Sequence, residues 1–251
     1  MLTTRVIPVL LLQDKGLVKT VKFDKPTYVG DPINAVKIFN DKEVDELIFL
    51  DIKASAHRRA PLMNVISSIT NECFMPLCYG GGIENIDVMK RIYALGVEKI
   101  AINTSAQKNP GLIEEAARIF GSQSVVVSVD AKKNIFGKYE VFRCDGKNRT
   151  GVNPIRFAKQ MEERGAGEIM LNSVDRDGTM KGYDLKLIND VSAAVKIPLI
   201  ACGGAGKFED FRQAIAAGAA AVAAGSMFVF YGPNRAVLIN YPKRNELAGV
   251  I

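Results

Sequence analysis

The sequence predicts an α/β chain folded as a single (β/α)8 TIM barrel built from two fused half-barrels. Short apolar runs alternate with amphipathic segments throughout, giving eight strand-then-helix units in 251 residues. The strand runs (IFLDI, KIAIN, SVVVSVD, AAVAAG) are nearly continuous in apolar residues, as expected where helices cover both sheet faces. Strand ends also recur at about half the chain length. Asp51 and Asp177 lie 126 residues apart, while Gly81-Gly82 and Gly203-Gly204, like Asn103-Thr104 and Gly225-Ser226, lie 122 apart. A doubly wound open sheet is the alternative, but its glycine-rich turn would follow the first strand, and here the glycines come later.

In chain order the strands fall at about 6–12, 46–52, 76–81, 99–104, 125–131, 168–174, 198–203 and 220–226. Helical patterns fall at about 32–44, 60–73, 85–95, 110–119, 153–165, 185–196 and 207–217. One domain spans 1–251, with half-barrels at about 1–120 and 121–230 and an irregular tail at 231–251. Pro233 and Pro242 disfavour a long closing helix in that tail. The opening MLTTRVIPVLLLQDK has no basic leader or small-residue cleavage site and reads as a first strand. Residues 134–150, NIFGKYEVFRCDGKNRT, read as a hairpin with its turn at Asp145-Gly146. Inserted after the fifth strand, it would lie over the barrel mouth, where lids belong.

Composition narrows the function classes. The chain is 48% hydrophobic and 24% charged, with no run of eighteen apolar residues to span a membrane. Its net charge is +6, yet the 33 lysines and arginines form no basic run or aromatic-interleaved stripe, so anionic small substrates account for the charge better than nucleic acid. Cys73, Cys78, Cys144 and Cys202 have no metal-like spacing and read as the reduced cysteines of a cytoplasmic protein.

The chemistry is expected at the C-terminal strand ends. Residues 76–83, PLCYGGGI, and 198–206, PLIACGGAG, are strands ending in consecutive glycines before a helix. Bare N–H groups and a positive dipole end suit a phosphate there, and two such loops suit a substrate carrying two. Asp130 closes SVVVSVD, where poor solvation could tune it as a general acid/base or leave it orienting Lys132. Asp177-Gly178-Thr179 is either a phosphate-binding turn or a plain Asp-Gly turn. Lys19 lies just beyond the first strand. His57, the only histidine, sits in AHRRA; it forms no metal site, and with Arg58 and Arg59 it either belongs to a solvated loop, the favoured reading, or helps hold an anionic substrate. On the opposite face Arg5, Glu46, Lys99 and Glu168 stand at strand starts, two cations and two anions that would close the barrel bottom.

The stretches VIPVL, VDELIFLDIKAS, PLCYGGGI, KIAINTSA, NPGLIEEAARIFGSQSVVVSVDAK, GAGEIMLNSVDRDGTMKGYDL and IPLIACGGAG resemble the cyclase subunit of imidazole glycerol phosphate synthase, the HisF family, colinearly from residue 1 to about 230. The resemblance implies a lyase-class synthase subunit of histidine biosynthesis with no cofactor or metal. It implies a substrate with a phosphate at each end, and a glutaminase (HisH-like) subunit supplying ammonia from the N-terminal face. On it, Gly82, Asn103 and Thr104 match one phosphate site, and Asp177, Gly178, Gly204, Gly225 and Ser226 the other. Arg5, Glu46, Lys99 and Glu168 match the gate to an ammonia channel, and Asp130 and Lys19 match catalytic positions.

The departures are as informative. The family's ring closure resembles a two-carboxylate design, but the first-strand position is Leu11 here, and Asp14 lies three residues on in a loop. The loop KASAHRRAP and the tail without a closing helix also differ. These features resemble a divergent branch in which a glutaminase and this barrel feed ammonia to a sugar amidotransferase. That enzyme makes acetamidino sugars for lipopolysaccharide or flagellar glycans. Three readings follow: ammonia delivery with little cyclase activity, an authentic cyclase that tolerates Leu11, or a non-catalytic activator of a glutaminase.

Overall fold

The computed structural model describes residues 4–143, 148–243 and 246–247. Eight parallel strands close into a barrel: β1 (Arg5–Gln13), β2 (Leu47–Asp51), β3 (Leu77–Gly80), β4 (Lys99–Ile102), β5 (Val125–Lys133), β6 (Glu168–Ser173), β7 (Leu199–Cys202) and β8 (Ala221–Ala224). Each pairs with the next, and the ring closes where β8 meets β1, with Arg5 opposite Ala221 and Pro8 opposite Ala224.

Alternation along each strand builds two cores. Ile7, Val9 and Leu11 of β1 point inward with Ile48, Val126, Met170 and Ile200, filling the barrel. Val6, Leu10 and Leu12 point outward and pack beneath the helices. Both faces are buried, which is why the strand sequences read as unbroken apolar runs.

The outer layer comprises α1 (Pro32–Asp41), α2 (Met63–Thr70), α3 (Ile86–Ala94), α4 (Gly111–Phe120), α5 (Pro154–Glu163), α6 (Leu185–Ser192) and α7 (Phe208–Ala216). Their apolar faces were legible, but several ends are trimmed: the pattern at 60–73 yields only Met63–Thr70. Capping reproduces the 122-residue recurrence. Asp31 accepts from the amides of Ile33 and Asn34 at 2.9 and 3.0 Å, with Pro32 in the first turn. Asn153 accepts from Ile155 and Arg156 at 2.8 and 3.3 Å, with Pro154 in the same place.

Three features depart from the sequence reading. After β1 the chain folds back as an antiparallel hairpin of Gly16–Val21 and Asp24–Gly30, where no strands were expected. The expected strands at 99–104 and 220–226 stop early, and the short helices Thr104–Lys108 and Ser226–Val229 begin at their ends. The insertion turns first at 134–138, where the Asn134 side chain accepts from the amides of Phe136 and Lys138 at 2.9 and 3.0 Å. Its arms Tyr139–Arg143 and Asn148–Arg149 then pair antiparallel; the expected turn at Asp145-Gly146 lies outside the described residues.

The tail covers the barrel seam instead of a long helix. Beyond Ser226–Val229, Phe230–Tyr231 pairs with Ala236–Val237. Tyr241 is then buried with its hydroxyl donating to the Val6 carbonyl at 2.9 Å and its ring against Phe39 and Phe228. Among the described residues no helix is long and apolar enough to cross a membrane.

Asp31→Ala is expected to lower stability by about 1 kcal/mol, since two α1 amides lose their acceptor. A denaturant titration should show a lower midpoint at unchanged slope. An unchanged midpoint would mean that Pro32 and the burial of Phe39 set this helix start unaided.

Candidate functional site

The C-terminal strand ends surround a cavity of about 710 Å³. One side of its wall is apolar, from Val9, Leu11, Leu50 and Ile52 on β1, β2 and the loop after it. The other is polar, from Asn103, Ser128, Asp130 and Asn172 at the ends of β4, β5 and β6.

Asp130 is buried at the cavity and accepts from the Asn103 side-chain amide at 2.8 Å. Gln107, one turn into the short helix, donates its side-chain amide to the Asn103 Oδ1 at 3.1 Å and so orients that amide. The Asn103 side chain, expected among the phosphate contacts, is thus committed to Asp130. What this loop offers an anion is backbone N–H and the Thr104 hydroxyl. Leu11 is 8% exposed, points inward and lines the same cavity. Asp14 sits exposed in the hairpin turn at φ 56°, outside the cavity lining.

The unexpected hairpin carries Lys19 and Thr20 across the mouth. Lys19 is buried, and its Nζ lies where a side chain at residue 225 would be: a Cβ on Gly225 would sit 1.9 Å from it. The Val9 carbonyl oxygen would lie 2.9 Å from the same Cβ, so any larger residue would displace Lys19 and press on the β1 backbone. Thr20 donates to the Asp177 carboxylate at 3.3 Å, and a Cβ on Gly178 would lie 2.2 Å from the Thr20 carbonyl oxygen. Burial raises the Asp177 carboxyl above its usual value, although Lys19 and Thr20 pull it down. Gly204 and Ser226 complete this side, Ser226 opening its short helix just as Thr104 does. The glycine pairs behind them share left-handed backbone: φ is 113° and 70° at Gly81 and Gly82, and 88° and 117° at Gly203 and Gly204.

Two hairpins meet above the cavity. The Phe23 and Phe142 rings pack edge-on at 6.2 Å, and Lys132 Nζ lies 5.2 Å from the Phe142 centroid. His57 and Arg58 face solvent, but Arg59 turns inward and holds Asp51 through Nη2 at 3.2 and 2.9 Å. The Cys202 thiol is pushed up to about 12 by burial, leaving little nucleophilic thiolate at neutral pH. Among the described residues there is no group of three or more His, Cys, Asp or Glu that could hold a metal.

At the opposite end the four charges form a closed alternating ring. Arg5 donates to Glu46 and, at 2.7 Å, to Glu168; Lys99 reaches Glu46 at 3.0 Å and Glu168 at 3.2 Å. Burial alone would push the Arg5 guanidinium down, but Glu168 and Glu46 together hold it above its usual value. Small side chains stand above the ring at Cys78, Ala221 and Ala101.

The sequence reading missed Thr20, Gln107 and Arg235. Thr20 and Gln107 lie on elements it did not foresee, and Arg235 lies on a tail with no periodicity. Arg235 donates to the Gly178 carbonyl at 3.1 Å.

Asp177 sets a pH dependence with a definite sign. Because its folded pKa is raised, the folded state binds more protons than the unfolded one just above the usual carboxylate range, so this group makes stability rise as pH falls through that window. Asp177→Asn is expected to be more stable than the parent at neutral pH, with the gap closing on acidification. Thermal unfolding at stepped pH reads this, and a gap constant with pH would contradict the raised pKa.

Comparison with known proteins follows the same lines. The model of the histidine biosynthesis protein family matches residues 5–233. A protein from Pseudomonas aeruginosa whose name reads "Putative imidazole glycerol phosphate synthase subunit hisF2" is 52% identical over 98% of this chain and 99% of its own. A HisF subunit of Leptospira interrogans, named with the same qualifier, is 49% identical over 98% of each chain. The imidazole glycerol phosphate synthase subunit HisF of Alkaliphilus metalliredigens, named without it, is 44% identical over 91% of each. With its closed eight-stranded barrel and a match of this length, the chain belongs to the histidine biosynthesis protein family, among the HisF-type subunits of imidazole glycerol phosphate synthase.

Proposed function

We propose that this chain is a synthase subunit that binds a phosphorylated small molecule at the C-terminal mouth and takes ammonia from a glutaminase (HisH-like) subunit at the N-terminal face. Ring closure is weak or lost, and the ammonia serves amidino-sugar formation by a sugar amidotransferase. The observation that carries this reading is Leu11, which faces the cavity where the family's resemblance implies a carboxylate.

A ring closure of this kind needs one group to take a proton and another to give it, on opposite sides of the reacting atoms. Asp130, oriented by Asn103, supplies one. The facing wall of Val9, Leu11 and Leu50 supplies no titratable group. Of the other cavity carboxylates, Asp51 is engaged by Arg59 and Asp177 by Thr20, while Asp24 stands exposed at the hairpin tip and accepts from the Lys25 amide. The anion cradles and the charge ring need no second acid, so binding and ammonia passage are compatible with the loss. On this reading Gly82, Asn103 and Thr104 serve one phosphate, and Asp177, Gly178, Gly204, Gly225 and Ser226 the other. The matching backbone of the two glycine loops supports two anion sites in two fused half-barrels. Retention of Asp130 and Lys19 favours a second reading, an authentic histidine-biosynthetic cyclase in which one acid suffices.

Steady-state turnover of the family's bisphosphate intermediate with ammonium salt separates the two. The first reading expects turnover depressed by roughly 10²- to 10⁴-fold from an ordinary enzyme rate, and Leu11→Asp recovering at least tenfold. Ordinary turnover by the unmodified chain would establish the cyclase and end the first reading.

The ring makes a separate test. Lys99→Ala and Glu46→Gln, assayed with the glutaminase subunit, are expected to leave glutamine hydrolysis stimulated while product formation from glutamine drops at least tenfold and that from ammonium salt does not. Equal losses from both nitrogen sources would remove the ring from ammonia transfer.

A further inference from the structure

We infer that Arg235, carried by the C-terminal hairpin, is a phosphate-binding residue of the anion site formed by Gly178, Gly204, Gly225 and Ser226; this rests on the phosphate reading above and adds a residue to it. Phe230–Tyr231 pairs with Ala236–Val237, and the intervening turn returns Arg235 towards the mouth, its N–H donating to the Gly232 carbonyl at 3.1 Å. The guanidinium lies 4.5 Å from the Phe230 ring centroid, so the ring fixes its plane. Its Nη1 donates to the Gly178 carbonyl at 3.1 Å, and its Nη2 stands 3.5 Å from the Ser226 hydroxyl.

The 3.5 Å separation is informative. A phosphate oxygen accepting from Ser226 Oγ at the usual ~2.7 Å, on the side facing the guanidinium, is within hydrogen-bond reach of Nη2 as well. The guanidinium keeps donors to spare, because it has five and the protein takes one at good distance. Its charge is also uncompensated: among the described residues no carboxylate forms an ion pair with it. Arg59, beside the other glycine loop, is instead held by Asp51 through both carboxylate oxygens. The second site also contains the buried Asp177, whose charge opposes an incoming phosphate. Lys19 offsets Asp177 from the cavity side, and Arg235 supplies the further positive charge that a phosphate dianion needs. The ligand class is a phosphate monoester, its phosphate seated under the tail and the rest of the molecule in the cavity.

The test is a titration with inorganic phosphate followed by amide shifts of the ¹⁵N-labelled chain, comparing the parent with Arg235→Gln and Arg235→Lys. In the parent, the amides of Gly204, Gly225 and Ser226 should shift together. Arg235→Gln should raise their phosphate Kd about tenfold and leave any response at Asn103 and Thr104 unchanged, while Arg235→Lys should stay within about threefold of the parent. Equal Kd values for parent and Arg235→Gln at Ser226 would overturn the role of Arg235 and leave the phosphate site standing. Equal weakening in Arg235→Gln and Arg235→Lys would reduce Arg235 to a structural anchor and overturn the role too. No response at Ser226 in the parent would overturn the phosphate reading itself, and this inference with it.

Discussion

The closure of β8 onto β1 governs the rest of the molecule. Eight strands joined in a ring enclose just enough space for side chains to fill, so each inward position is a choice among very few neighbours. The interior is consequently stratified. Four charges lie at the floor, branched and small apolar residues above them, and polar groups only where the strands open towards solvent. Each carboxylate of the floor ring touches both cations, which offsets the desolvation that an isolated charge would suffer. A partly buried ring of this sort is a weak source of net stability.

That stratification gives residue 11 its weight. In an open cleft a missing acid can be replaced from a nearby loop, because loops have room to move. Inside the barrel the residue opposite Asp130 is fixed by strand register, with Leu11 level with Leu50 on β2. Asp14 is close in sequence but sits beyond the strand end, in a turn whose direction is set by the pairing of Gln13 with Gly16. The polarity of this wall is therefore written in β1 and β2 and not in the loops of the mouth. A leucine at position 11 leaves a cavity with a one-sided array of polar groups.

Period and continuity revealed much of this from sequence. The eight barrel strands read clearly because burial on both faces makes them continuous apolar runs. The seven outer helices read clearly because each has one apolar face. The hairpin of Gly16–Val21 and Asp24–Gly30 did not, since its tight turn uses Lys22 and Phe23 at φ 53° and 63° where asparagine and glycine would normally signal it. The helices at Thr104 and Ser226 are too short for a 3.6-residue pattern to emerge from the strand before them. Arg59 and Arg235 stood in segments without periodicity, and only the folded chain distinguishes Arg59, turned onto Asp51, from Arg58, turned to solvent.

The 122-residue recurrence separates what the backbone encodes from what side chains encode. Helix caps at Asp31 and Asn153, left-handed glycines after β3 and β7, and short helices after β4 and β8 recur in kind. Side chains around them do not. Asp51 is held by an arginine and Asp177 by a threonine, while the acid on β5 faces leucine on β1. Backbone N–H cradles survive almost any substitution that keeps the glycines, whereas a proton-transferring couple is lost with one residue. On the proposed reading, ring-closing chemistry is lost while the backbone cradles persist. Arg235 comes from outside the repeat, on the tail, and on the inference drawn for it adds to that cradle a charge that the other half-barrel does not have.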